Sequence, residues 1–213
     1  MRKDIVTNWL ANTGHTLTQS QLASLARYQE LVLSAPFNLT AITNSEDFAI
    51  KHFIDSYTLL PWLDDMKITN CIDIGSGAGF PGVPLKIARP TLRITLLDSL
   101  LKRVLFLRAA TQELGLTGVE CIHARAEDHV KQKGAAYDLA TARAVARLGK
   151  LAGYALPLVK PGGVFLAMKG PDAAAEIEEA LPILHKHGSA VESVQTVEIS
   201  QEIGRSIIVI RKH

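Results

Sequence analysis

The apolar positions of this chain fall into two regimes, and the period changes near Asn70. Before that point the spacing is helical. Ile5, Val6, Trp9 and Leu10 share one face of a helix that Gly14 stops. Thr18-Gln19-Ser20-Gln21 has the spacing of a capping box and opens a second helix. Leu22, Leu25, Ala26, Leu31 and Leu33 make up much of its apolar side. Pro36-Phe37-Asn38-Leu39-Thr40 reads as a loop, and a third helix is predicted from about Glu46 to Leu60, using Phe48, Phe53, Ile54 and Tyr57.

After Asn70 short apolar runs alternate with helical segments, the pattern of βαβ units around a mainly parallel sheet. The predicted strands are Cys71–Ile74, Arg93–Leu97, Val119–His123, Asp138–Ala142 and Gly163–Met168, then Val191–Val197 and Ile207–Ile210. Only the short segment Glu198–Ser206 joins the last two, which predicts an antiparallel hairpin closing the sheet. The expected fold is therefore α/β: a seven-stranded Rossmann-like sheet with helices on both faces, the arrangement of class I methyltransferases. A dehydrogenase would be expected to keep six parallel strands. We expect residues 1–65 to form a helical extension packed on a core of residues 66–213.

Composition narrows the class. Apolar residues make up 47% of the 213 positions, enough for a packed core. No apolar run reaches the length of a membrane span, because Lys51, His52 and Asp55 interrupt one stretch and Arg103 and Arg108 another. The first residues lack the unbroken apolar core of a signal peptide, so a cytoplasmic location is expected. The two cysteines, Cys71 and Cys121, lie in strand-like runs and read as reduced, buried thiols; no Cys or His spacing suggests a metal. A net charge of +2 permits a nucleic-acid partner without demanding one.

The chemistry is concentrated where the first strand ends, at Asp73-Ile74-Gly75-Ser76-Gly77-Ala78-Gly79-Phe80-Pro81-Gly82. Gly75, Gly77 and Gly79 let the backbone turn sharply beside a ligand. Pro84 fits the first turn of a short following helix, and Pro90 ends it. The loop also satisfies the dinucleotide pattern, and Asp98, at the end of the second strand, is an acid that NAD enzymes share. Two features separate the readings. Asp73 would oppose a pyrophosphate but suits a ligand carrying an ammonium and a sulfonium, which is S-adenosyl-L-methionine. Glu127 or Asp128, after the third strand, can accept an adenine amino group, while the backbone at Ala126 serves the ring nitrogen. Taken singly, Asp98 and Glu127 are more simply helix-capping acids; at this order and spacing the cofactor reading leads.

The methyl acceptor is approached by exclusion. The Asn/Asp-Pro-Pro-aromatic loop of amino-group methylation is absent, and both cysteines are in strands, away from the loop that carbon-5 chemistry requires. Ribose 2′-O methylation is weakened because Asp138 opens its strand, although Lys169 would fit one lysine of that set. A nucleophile with a free lone pair, such as a purine N7, remains favoured and needs alignment more than a general base. Arg143, Arg147 and Lys169, after strands four and five, are the candidates for positioning substrate phosphates. A structural ion pair of Arg143 with Asp73 or Asp138 is the competing reading. Lys102, Arg103, Arg108 and Lys150 read as helix-surface charges.

Several segments together resemble the small-subunit ribosomal RNA methyltransferase G family. They are Asn38-Leu39-Thr40, His52 with Asp55-Ser56, the loop from Asp73 to Leu85, Leu96-Leu97-Asp98-Ser99 with Lys102-Arg103, Arg143-Ala144, Lys169-Gly170, and the closing Arg205 to Lys212. The resemblance implies an enzyme that methylates guanine N7 in bacterial 16S rRNA or the small ribosomal subunit. It also implies that Gly75, Phe80, Ala126, Glu127 and Arg143 carry cofactor contacts. A monomer is expected because the sequence shows no obvious dimer element. Ser34-Ala35-Pro36-Phe37 departs from the Trp-Asn pair that many members have there.

Overall fold

The computed structural model describes residues 1–143, 146–170, 173–200 and 203–213. The change of period is a change of architecture. The helical region contains α1 (Lys3–Asn12) and α2 (Gln19–Leu33), and the capping box forms as read, with the Thr18 and Gln21 side chains each bonded to the other's backbone amide. Leu22 and Leu25 are buried, but Leu33 is exposed at the end of the helix. The predicted third helix is not uniform. It runs as α3 (Ser45–Phe48), a π-helical segment Ala49–Ile54, α4 (Asp55–Tyr57) and, after a break, α5 (Leu60–Asp65). The wide turn rotates the face that follows it, so that His52 and Asp55 both point inward; π segments of this kind recur at functional sites.

The second region forms β1 (Asn70–Ile74), α6 (Gly82–Ala88), β2 (Arg93–Asp98), α7 (Leu101–Glu113), β3 (Val119–His123), α8 (Ala126–Lys133), β4 (Tyr137–Arg143), α9 (Leu148–Ala155), β5 (Val159–Lys169), α10 (Ala174–Lys186), β6 (Ser189–Ser200) and β7 (Ile203–Lys212). The seven strands make one sheet in the order β3-β2-β1-β4-β5-β7-β6. The first five are parallel, and β7 enters antiparallel between β5 and β6. The final pair is thus the expected hairpin. It is longer than its apolar positions suggested, and its turn, at Gln201 and Glu202, lies outside the described residues.

Alternation along the strands divides the core between the two faces. Cys71, Leu139, Val164, Leu166, Ile207 and Val209 pack on one side with Val6, Leu25, Tyr28, Phe48 and Phe53 of the helical region. Ile72, Ala140, Phe165, Ala167, Ile208 and Ile210 face the other side, under α9 and α10. The helical extension is therefore one wall of a core it shares with the sheet. The sheet reverses its strand order at β1 and β4, so the carboxyl ends of β1, β2 and β3 open a crevice of the kind that holds ligands in open α/β folds.

Candidate active site

A small open cleft of ≈ 210 Å³ lies at those strand ends. Ile74 and Gly75 at the end of β1, Leu97, Asp98 and Ser99 at the end of β2, Ala124 to Glu127 between β3 and the first turn of α8, and Tyr154 from α9 line it. Gly75, Asp98, Ala126 and Glu127 thus come together as predicted. Of the two acids after β3, Glu127 lines the cleft, while Asp128 pairs with Lys131 at 3.0 Å. Ser99 stood in a resembling segment without an assigned role, and Arg125 and Tyr154 were not among the candidates; they arrive by position after strand ends and on a helix face.

Gly75, Gly77 and Gly79 take φ values of +71°, +60° and +85°, the left-handed region that glycine enters without a Cβ penalty. The loop they build is held by its own amides. Gly75 and Ser76 N–H donate to Leu97 O at 2.8 and 3.0 Å, Gly77 N–H to Asp98 Oδ2 at 2.8 Å, and Gly79 N–H to Ser76 O at 2.7 Å. A loop whose amides are engaged this way does not offer a pyrophosphate the row of free donors that dinucleotide sites use. Asp98 also accepts from Leu100 N–H at 2.8 Å and lies 3.4 Å from Arg103, so it ties the loop to the start of α7. Oδ1 accepts from Leu100 alone and keeps a lone pair for a ligand hydroxyl, whereas Oδ2 takes both Gly77 N–H and Arg103.

Beneath the loop, Asp73 is fully buried. Its Oδ2 accepts from Gly82 N–H at 3.1 Å, and a Cβ at Gly82 would stand 2.8 Å from that oxygen, which explains the glycine. Burial pushes the Asp73 carboxyl up to about 7, against the pull of its hydrogen bonds and of Arg143. Its Oδ1 has no hydrogen-bond partner among the described residues, an unmet acceptor under the loop where a cationic ligand would sit. The donor set therefore fits S-adenosyl-L-methionine: two carboxylates on the open side and an unpaired carboxyl oxygen below the glycines.

The far side of the loop is closed by a buried cluster. Phe80 stacks on His52, with centroids 4.3 Å apart and planes 4° from parallel, and Arg143 lies over the same ring at 5.2 Å. Arg143 pairs with neither predicted acid. It donates to Asp55 Oδ2 at 3.0 Å, to Lys51 O at 2.9 Å and to His52 Nδ1 at 3.3 Å. Arg205 from β7 takes the same carboxylate as a fork, Nε to Oδ1 at 2.7 Å and Nη2 to Oδ2 at 2.9 Å. Asp138 is occupied elsewhere, by Lys160, Thr69 and Asn70. An arginine can only donate, so Nδ1 of His52 accepts and its proton sits on Nε2, facing Thr40 Oγ1 at 2.8 Å. Burial, then Arg143, lowers His52 to about 3, so this imidazole stays neutral. His52, Asp55 and Arg205 stood in the resembling segments without an assigned role; a buried carboxylate facing two arginines is their missing signal.

The remaining candidates are less free than the sequence suggested. Lys169 is buried, with Nζ 2.7 Å from Glu176 Oε2 and 2.6 Å from Ala146 O. That removes it as an available amine for ribose chemistry. Arg147 is exposed and bonded to Glu179 at 2.8 Å at the start of α9. Among the supposed surface charges, Lys102 lies over the Phe37 ring at 5.2 Å, and Arg108 donates to Cys121 O at 2.9 Å. Ala144, named with Arg143 in the resemblance, lies outside the described residues. Cys71 is buried and Cys121 half-buried, and burial raises both thiols above their usual range. Among the described residues, no group of His, Cys, Asp and Glu side chains could hold a metal ion, and no helix is long and apolar enough to cross a membrane.

Comparison with known proteins matches this geometry. The family model described as rRNA small subunit methyltransferase G covers residues 21–205. Proteins named Ribosomal RNA small subunit methyltransferase G from Lactiplantibacillus plantarum and Desulforamulus reducens are 45% and 42% identical to this chain, covering 95% and 92% of it and 86% and 84% of their own lengths. An O-methyltransferase from Bacillus cereus, solved in complex with SAH, superposes with a TM-score of 0.62 at 14% identity, over 98% of this chain and 97% of that one; at that identity the likeness shows the fold. By the extent of these matches, the chain belongs to the rRNA small subunit methyltransferase G family.

Proposed function

We propose that the chain transfers a methyl group from S-adenosyl-L-methionine to N7 of a guanine in bacterial 16S rRNA. The observation that carries the reading is the division of the glycine loop: its amides are engaged internally, while carboxylates surround it. A polyanionic cofactor is disfavoured there and a cationic one is welcome. When bound, S-adenosyl-L-methionine supplies an electrophilic methyl on a sulfonium.

The protein's own groups then have defined work. Asp98 accepts the ribose hydroxyls and Glu127 the adenine amino group, with the Ala126 amide available to the ring. Tyr154 forms the wall facing them. Gly77 and Gly79 keep side chains out of the approach, and Asp73 Oδ1 faces positive charge. Phe80, packed against His52 and Arg143, bounds the end of the loop nearest β4. Guanine N7 has its own lone pair, so these residues need to align and desolvate rather than remove a proton, in keeping with a histidine that remains neutral. Arg143 acts on the substrate side as a group already oriented by Asp55. Arg147, exposed at the rim, is the candidate for a phosphate, and Lys169 supports the β5 end through Glu176. We place the enzyme in the cytoplasm as a monomer.

The test is tritiated methyl transfer to free 16S rRNA and to 30S subunits, with the modified position mapped by mass spectrometry of nuclease fragments. Label on guanine N7 is expected. Label on a ribose, on a pyrimidine or on protein would replace the acceptor while leaving the cofactor assignment intact.

A further inference from the structure

Tyr28 and Tyr57 are the largest fully buried side chains of the helical extension, and the Tyr28 hydroxyl does not stop within that extension. It donates a short hydrogen bond to the carbonyl of Ala78, the residue between the second and third glycines of the loop. The ring meets Phe80 edge-on at 5.7 Å and lies 6.4 Å from Phe106 of α7. A Cβ built on Gly79 would collide with the same hydroxyl, so the tyrosine also dictates what residue 79 can be.

Resting on the cofactor reading above, we propose that Tyr28 is a positioning residue for the cofactor and that the helical extension completes the cofactor site. From Gly77 to Gly82 the loop backbone has three side-chain anchors. Asp98 holds the Gly77 amide and Asp73 holds the Gly82 amide, both from the sheet. The intervening carbonyl of Ala78 is held by Tyr28 from α2, a helix fifty residues earlier in the chain. Without that bond a buried carbonyl loses its donor, and the glycines between the two sheet anchors are free to choose other conformations. The ligand would then have to order the loop as it binds, which weakens affinity without touching a ligand contact.

Tyr28→Phe deletes the hydroxyl and keeps the ring. Calorimetry should give a Kd for S-adenosyl-L-methionine about tenfold above that of the unaltered protein, the scale of one hydrogen bond. KM for the cofactor should rise in parallel, with kcat at saturating cofactor nearly unchanged. In the ligand-free protein, hydrogen exchange should accelerate at the Gly79 and Phe80 amides, which bond to Ser76 O at 2.7 and 3.2 Å, and not in β1 or β2. Phe106→Leu is the companion variant: it disturbs the same packing but leaves the hydroxyl, and should lower Tm with Kd unchanged. An unchanged Kd and unchanged exchange in Tyr28→Phe would reduce Tyr28 to core packing and overturn the inference. So would an equal rise in Kd in Phe106→Leu, since affinity would then follow stability. If the unaltered protein binds no S-adenosyl-L-methionine, the cofactor reading fails first and this inference with it.

Discussion

The two sides of the glycine loop are built on opposite plans. On the cleft side, Asp98, Ser99, Ala126 and Glu127 stand at the ends of neighbouring strands, and Glu127 is exposed. On the other side, Asp55, His52, Phe80, Arg143 and Arg205 are packed into one network whose members lie as much as 150 positions apart in sequence. The open side keeps acceptor capacity for a ligand. The closed side spends its hydrogen bonds on itself and fixes where Phe80 and Arg143 stand. Ligand recognition and wall rigidity are thus assigned to different residues, joined through a loop only a few residues long.

Removing Asp55 tests the closed side and should have the largest effect. Its carboxylate is almost fully buried and is shared by Arg143 and Arg205. Asp55→Ala leaves two guanidiniums partly buried without their counter-ion, and loss of one partner of a buried pair costs roughly 3–5 kcal/mol. Urea denaturation should show that loss, with methyl transfer falling at temperatures where the variant is still folded. If stability changes by less than about 1 kcal/mol, the level of an exposed pair, the two arginines do not depend on this carboxylate and the closed side is not rigid in the sense argued.

The open side predicts a smaller and different response. Asp98→Ala should weaken S-adenosyl-L-methionine binding by about 1–3 kcal/mol, the cost of losing hydrogen bonds to a charged group. Because Asp98 also holds Gly77 N–H and Leu100 N–H, part of that loss comes from the loop. Glu127→Gln separates the two, since no partner among the described residues restrains that exposed side chain: its binding loss should be the smaller one, with Tm unmoved. Equal Tm losses in both variants would erase the contrast between the sides.

That contrast matches what the sequence made legible. The seven strands, the capping box, the loop and the two acids beside the cleft are local: each is read from period, turn residues or position after a strand. The closed side is not local. The competing reading pairs Arg143 with Asp73 or Asp138, whereas Arg143 meets Asp55. That residue faces inward because a π segment replaces the regular helix predicted over Glu46 to Leu60. No periodicity signals one extra residue in a turn. Lys169 misled for a related reason: Glu176, seven residues later on α10, reaches back to cover it.

Acidity gives a third, weaker effect, because two buried groups oppose one another. Asp73 is raised from 3.8 to about 7, so the folded protein binds the extra proton across that window and its contribution to stability falls as pH rises through it. His52 is lowered from 6.5 to about 3, so the unfolded chain binds the extra proton and its contribution to stability rises with pH up to 6.5. Between about pH 4 and 6.5 these slopes have opposite signs. Denaturation across that range should show a steeper rise with pH in Asp73→Asn than in the unaltered protein, and a shallower rise or a fall in His52→Gln. Parallel curves for all three proteins would mean that neither group keeps its buried environment in solution.

The smallest expected effect is on the cysteines, and it bears on the chemistry rather than on the walls. Cys71 sits in β1, fully buried on the face shared with the extension, and Cys121 sits in β3 with its sulfur 4.0 Å from Thr111 Oγ1. Burial holds both thiols protonated, and thiolate, not thiol, is the nucleophile that carbon methylation of a pyrimidine would need. Neither residue lines the cleft. Cys121→Ser should therefore transfer methyl groups at the unaltered rate. Cys71→Ser should do the same per folded molecule, with a modest stability loss from placing a hydroxyl in an apolar strand. Single-turnover transfer, scaled to the folded fraction from circular dichroism, measures this directly. A protein–RNA adduct that survives denaturing electrophoresis and disappears in either variant would show a covalent route, and alignment by the loop would then no longer account for the reaction.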